Sequence, residues 1–131
     1  MALDPKVITF AQGPNFAMLT TLRPDGHPVT QPMWVDADAD HVLINTEKHR
    51  RKFRNVVNDP RVTVTIWDRD NPYSYVEVRG TVTGVVYGDE PRRHIDQLAE
   101  QYIGQPYKSD AIRSERVILQ ITPLELSRKS S

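Results

Sequence analysis

Apolar and β-branched residues fall along this chain in short runs, many alternating with a period of two, and only three segments carry a helical spacing. Asp4-Pro5 is a cap-and-first-turn pair, and Val7, Ile8, Phe10 and Ala11 follow it until Gly13-Pro14, which predicts a short amino-terminal helix. Phe16 to Leu22 reads as a strand, Pro24-Asp25-Gly26 as a turn, and His27 to Val35 as the returning strand of a hairpin. A polar turn over Asp36 to Asp40 leads to a third strand, His41 to Asn45. Val62 to Trp67 alternates, Asn71-Pro72 interrupts, and Tyr73 to Val86 is the longest strand candidate, with bulges or sharp curvature expected at Gly80 and Gly84.

The other two helical spacings lie between these runs. Phe53, Val56 and Val57 would share a buried face, turning Lys48, Arg51 and Asn55 outward and leaving Lys52 and Arg54 on the flanks, with the helix stopping at Asp59-Pro60. Thr46 or Glu47 would lie near its amino-terminal end. Asp89-Glu90-Pro91 opens the last helix, Ile95, Leu98, Ala99 and Tyr102 form its buried stripe, and Gly104 follows; its role reads as structural. A polar loop over residues 104 to 114, a closing strand Arg116 to Thr122 and a frayed tail over residues 127 to 131 complete the chain. Six or so strands in non-local antiparallel pairing, with helices at the margins, predict a mainly β fold, a small closed or split β-barrel, as one domain over residues 1–131.

Charge adds a feature that the pattern alone does not. Residues 48–54 hold five basic side chains (Lys48, Arg50, Arg51, Lys52, Arg54) in a chain of zero formal charge, so the remainder carries twelve basic against seventeen acidic residues. Backbone N–H groups at a helix start, a hydroxyl and several cations converging there suit one compact phosphate. A solvated helix face is the alternative, and an otherwise acidic chain offers no broad basic surface for a nucleic acid. There is no cysteine, which excludes disulfides and thiolate chemistry. No window approaches a membrane span and the first residues lack a signal-type apolar stretch, so the expected location is the cytoplasm, with no membrane partner. His27, His41, His49 and His94 show no metal-ligand spacing and read as surface or core histidines, while Asp36, Asp38 and Asp40 read as a turn rather than a calcium loop. Trp34 and Trp67 are candidates for either the core or a substrate pocket. No Ser-His-Asp or paired-carboxylate arrangement is present, so no catalytic side chain is assigned.

Taken in order, His27-Pro-Val-Thr-Gln-Pro-Met-Trp-Val35, Val42-Leu-Ile-Asn-Thr46, Arg50-Arg-Lys52 with Asn55, Asp59-Pro-Arg-Val62 and Asn71-Pro-Tyr-Ser-Tyr-Val-Glu-Val-Arg-Gly80 resemble the pyridoxamine-phosphate-oxidase-like split barrels, and within them the deazaflavin (F420)-dependent branch. The likeness spans about residues 4–124. It implies a homodimer that binds F420, or alternatively FMN, at the subunit interface. It places Arg50 and Lys52 on the cofactor phosphate, with Asn45 and Thr46 at the same end, and Arg51 and Arg54 toward an anionic tail. It runs Gln31, Pro32, Met33 and Trp34 along the ring, brings Tyr75 to the partner's cofactor, and gives Asn55 a supporting bond to the loop before its helix. Pro32, which donates no ladder hydrogen bond, fits either an edge left open for a ligand or a protected edge strand. The chain stops soon after Leu126, short of the carboxy-terminal arginine segment of authentic pyridoxamine phosphate oxidases, so that activity is not expected. The implied reaction is hydride transfer between reduced F420 and a conjugated small-molecule acceptor, as the cofactor supplies the chemistry and the protein supplies position and electrostatics. The alternatives are an FMN-dependent oxidoreductase on the same barrel and a non-catalytic carrier of F420 or haem.

Overall fold

The computed structural model describes residues 2–124 and the backbone of residues 128–129. In chain order these form α1 (Pro5–Gln12), β1 (Phe16–Leu22), β2 (Pro28–Met33), β3 (Asp36–Ala37), β4 (Val42–Glu47), α2 (Arg51–Asn58), β5 (Arg61–Asp68), β6 (Asn71–Val86), α3 (Glu90–Ile103), a 3-10 turn (Ser109–Ala111), β7 (Arg116–Pro123) and β8 (Arg128–Lys129). The pairings are all antiparallel in the order β2-β1-β5-β6-β7-β4-β3, with β8 on β6. β2 and β3 end that order and do not pair with each other, so the barrel is split rather than closed. Most of the tail expected to fray, namely Ser127, Ser130 and Ser131, lies outside the described residues.

The period-two pattern becomes the core. Leu19, Ile44, Ile66, Leu119 and Ile121 are fully buried, one from each of β1, β4 and β5 and two from β7. β6 is long enough to serve two neighbours. It pairs with β5 up to Thr81 and with β7 from Gly80 onward, and a bulge between Val82 and Gly84 bends it where it changes partner. Gly80 is required there by contact: an added Cβ would collide with the Thr122 carbonyl on β7. Gly80→Ala is expected to cost about 1–3 kcal/mol in urea unfolding, because backbone must move to admit the methyl group.

Two local expectations need correction. The segment over residues 36–40 is not wholly a turn, since Asp36 and Ala37 pair with Leu43 and Val42. The basic helix starts later and sits rotated from the face its spacing predicts. Arg50 is its N-cap, Glu47 still belongs to β4, Val57 is 68% exposed, and Asn55 is buried beside Val56. The cause is a specific bond: Asn55 donates Nδ2 to Thr21 Oγ1 on β1 at 3.0 Å, both side chains being buried. With Asn55 turned inward its amide must be paired, since an unpaired buried amide would be costly, and Thr21 supplies the partner. Asn55 therefore anchors α2 to β1 and does not reach the loop before its helix.

Candidate functional site

β4 alternates cleanly: Val42, Ile44 and Thr46 face the core, while Leu43, Asn45 and Glu47 face the other way, toward α3 and the loop over residues 104–115. Register then places Arg116, the first residue of β7, directly opposite Glu47. Directly opposed residues share a face, and here they pair, Arg116 Nη1 to Glu47 Oε2 at 3.3 Å with the side chains 8% and 1% exposed. Asn45 accepts from Arg116 Nε at 2.7 Å. The second oxygen of Glu47 accepts the backbone N–H groups of Arg113 and Ser114 at 2.7 and 2.8 Å, tying down the end of the loop. Burial pushes the Glu47 carboxyl up, but these N–H donors and the Arg116 charge together hold it below its ordinary value.

Two adjoining recesses open beside this pair. The polar one, about 350 Å³, is walled by Gln31, Asn45, Thr46, Arg50, Lys52 and Arg116, among others. Its neighbour, about 290 Å³, has Met33, Trp34, Ile95 and Leu98 in place of Gln31, Thr46, Glu47 and Lys52, and shares Pro32, Asn45, Arg50, Tyr107 and Arg116. Trp34 is held by aromatic contacts, stacked on Tyr102 at 5.1 Å between centroids and met edge-on by Tyr107 at 6.2 Å, and the Arg116 guanidinium lies 5.0 Å from the Tyr107 ring. Tyr102 is itself fixed, donating to the Asn15 carbonyl at 2.6 Å and accepting from the Val35 N–H at 3.3 Å.

Electrostatically the polar recess is unbalanced. Arg50, Lys52 and Arg116 converge on it, and Glu47 is the one carboxylate among its described wall residues. Neither Arg50 nor Lys52 has a carboxylate partner among the described residues, whereas Lys48 turns away to Glu115 at 2.8 Å and to the Tyr87 ring. Burial, and then the neighbouring charges of Arg50 and Arg116, lower the Lys52 ammonium below the usual lysine range. Such a cluster is complementary to a multiply charged anion.

Of the residues singled out from sequence, Gln31, Pro32, Met33, Trp34, Asn45, Thr46, Arg50 and Lys52 come together on these walls. Among the described residues β2 is an edge strand hydrogen-bonded to β1 alone, so Pro32 costs no second ladder and leaves that edge open beside the recess. Arg51 is exposed on α2, and Tyr75 on β6 stands opposite Trp67 on β5; neither lines either of these two recesses, and Asn55 is turned to β1. Arg116, Glu47 and Tyr107 escape the sequence reading. The signal for Arg116 is a charge at the head of an otherwise apolar strand, Arg-Val-Ile-Leu. The last helix is also more than structural, since Ile95 and Leu98 form recess wall.

The pyridoxamine 5'-phosphate oxidase family model matches residues 3–129. The chain belongs to that family. Among solved structures, an F420 reductase is 32% identical, with 89% of this chain and 92% of that one covered and a TM-score of 0.78. A conserved hypothetical protein from Mycobacterium tuberculosis is 23% identical over 100% of this chain and 86% of its own, with a TM-score of 0.75. The haem storage protein of Vibrio cholerae, 14% identical over 99% and 96% with a TM-score of 0.70, shares the fold. No curated protein matches the chain in sequence. No described helix is long and apolar enough to cross a membrane, and no described group of His, Cys, Asp or Glu could hold a metal ion.

Proposed function

We propose that this chain is an F420-dependent oxidoreductase that transfers a hydride between reduced F420 and a conjugated small-molecule acceptor. The observation that carries the reading is the junction of the two recesses, where unneutralised Arg50 and Lys52 sit at one end and Trp34, Met33, Ile95 and Leu98 at the other. That donor set fits a cofactor with a phosphate at one end and a flat apolar ring at the other. The 32% identity to an F420 reductase favours the deazaflavin over FMN, which shares the ring frame and first phosphate and is the second candidate.

Arg50, Lys52 and Arg116 would hold the phosphate, with Thr46 beside them. Gln31 to Trp34 would flank the ring with main-chain groups of an edge strand, and the aromatic and aliphatic wall would exclude water. When bound, the reduced cofactor supplies the hydride. No side chain is assigned as the proton donor.

The working unit on this reading is a cytoplasmic homodimer with the cofactor in the cleft between subunits. On the sheet surface Phe16 is 47%, Tyr75 37% and Tyr73 84% exposed, and the Phe16 and Trp67 rings lie 6.2 Å apart, an aromatic face that a second copy would cover. Tyr75 would then meet the partner's cofactor.

Titration of the purified protein with F420 and with FMN, followed by absorbance and calorimetry, tests the reading, since the deazaflavin and flavin bands differ in shape. Binding of F420 followed by accelerated oxidation of the reduced form by an enone, quinone or tetrapyrrole is the expected result. Binding without turnover on any acceptor would favour a carrier, and failure to bind either cofactor would sink the proposal. A haem carrier would show a Soret band instead; no histidine lines either recess to ligate the iron.

A further inference from the structure

Behind the Arg116 side of the recess lies a chain of side-chain bonds that the cofactor reading does not use. His94, on α3 and 7% exposed, places Nε2 2.9 Å from Asp36 Oδ2 and Nδ1 3.0 Å from Asn45 Nδ2. The Asn45 amide also donates Nδ2 to the Pro91 carbonyl at 2.8 Å and accepts from Arg116 Nε at 2.7 Å. Its orientation is forced, because a carbonyl can only accept and an arginine Nε can only donate. Turning the amide over would set oxygen against oxygen and N–H against N–H. With Asn45 so fixed, His94 Nδ1 must accept, which selects the neutral tautomer carrying its proton on Nε2, donated to Asp36. Donation therefore runs in one direction, from Arg116 through Asn45 and His94 to Asp36.

We propose that His94 is a positioning residue for anion binding: through Asn45 it holds the Arg116 guanidinium toward the recess that Arg50 and Lys52 share. The inference rests on reading that recess as a phosphate site. A histidine that merely filled space beneath α3 would need no particular acceptor at Nδ1, whereas a positioning histidine needs one. Asparagine at residue 94 keeps an oxygen acceptor at the place of Nδ1 and lacks Nε2. Glutamine keeps a polar group at the place of Nε2 and offers nothing at Nδ1.

The test compares the affinity ratio of FMN to riboflavin, and of F420 to its phosphate-free deazaflavin chromophore, in the parent, His94→Asn and His94→Gln. The ratio isolates the phosphate's contribution from that of the ring. His94→Asn is expected to keep the parent ratio, while His94→Gln lowers it about tenfold, the scale of one charge-assisted hydrogen bond, and leaves riboflavin binding unchanged. Nitrogen NMR of the histidine-labelled parent, which needs no variant to fold, is expected to show Nδ1 of His94 unprotonated at neutral pH. A proton on Nδ1, an undiminished ratio in folded His94→Gln, or an equal fall in both variants would overturn the inference. A parent that binds riboflavin as tightly as FMN, and the bare chromophore as tightly as F420, would instead remove the phosphate reading itself, and the inference with it.

Discussion

Glu47→Leu is expected to destabilise the protein by about 3–5 kcal/mol, the usual cost of leaving one member of a buried ion pair uncompensated. The substitution strands Arg116, 8% exposed, and orphans the N–H groups of Arg113 and Ser114. For a domain of this size the thermal midpoint should fall by roughly 10–20 °C. The double substitution Glu47→Leu with Arg116→Met separates pairing from burial. With both charges gone, most of the lost stability should return, since an apolar pair of similar volume often matches a buried ion pair. A double variant as unstable as the single one would show that the loop bonds, not the ion pair, are what Glu47 supplies. The same carboxylate makes stability depend on pH. Its folded value lies below its ordinary value of 4.5, so its contribution is fully present above that value and is lost as pH falls through the lower, folded one. Glu47→Leu should remove that part of the acid sensitivity, measured as the difference in midpoint between neutral buffer and buffer below pH 4.5.

What could be read from the sequence follows from the range over which each signal acts. Alternation and turn residues are local, and they locate β1, β4, β5, β6 and β7 to within a few residues, as well as α1 and α3 with its Gly104 cap in the left-handed region at φ 73°. The bends of β6 are legible because glycine has few other reasons to interrupt such a strand. The phase of α2 is not legible, because it is decided by Thr21, thirty-four positions away from Asn55, and no periodicity reports a partner at that distance. The recess divides the same way. Its β2 edge and basic cluster are contiguous in sequence and carry family motifs, so they stand out. Arg116 reaches it because β7 pairs with β4, and Tyr107 because its loop folds back on α3, where its N–H donates to Asp96; both are properties of the folded chain. His94 is the sharpest case: read alone it is a surface or core histidine, and its relation to Asp36 and Asn45 exists only once β3, β4 and α3 are assembled.

Lys52→Ala is expected to raise the dissociation constant for the phosphate-bearing cofactor about ten- to hundredfold, corresponding to roughly 1.5–3 kcal/mol for a lost hydrogen bond between charged groups. Lys52 lies on a half-buried helix flank without a carboxylate partner among the described residues, so folding loses little when it goes; removing a cation crowded by Arg50 and Arg116 even relieves repulsion. Binding and stability should therefore separate, with affinity falling while the urea midpoint stays level or rises. Arg51→Ala, on the exposed side of the same helix, provides the contrast: the phosphate contribution should survive it, any loss being confined to the anionic tail of F420 and absent with FMN. The depressed Lys52 value adds a pH signature. A bound dianion favours the ammonium, raising its value in the complex above that of the free protein, so affinity is full below the free-protein value and declines as pH rises through it. Lys52→Ala should flatten this alkaline decline. If Lys52→Ala and Arg50→Ala each bind both cofactors as the parent does, the basic cluster is a solvated face and the phosphate must sit elsewhere.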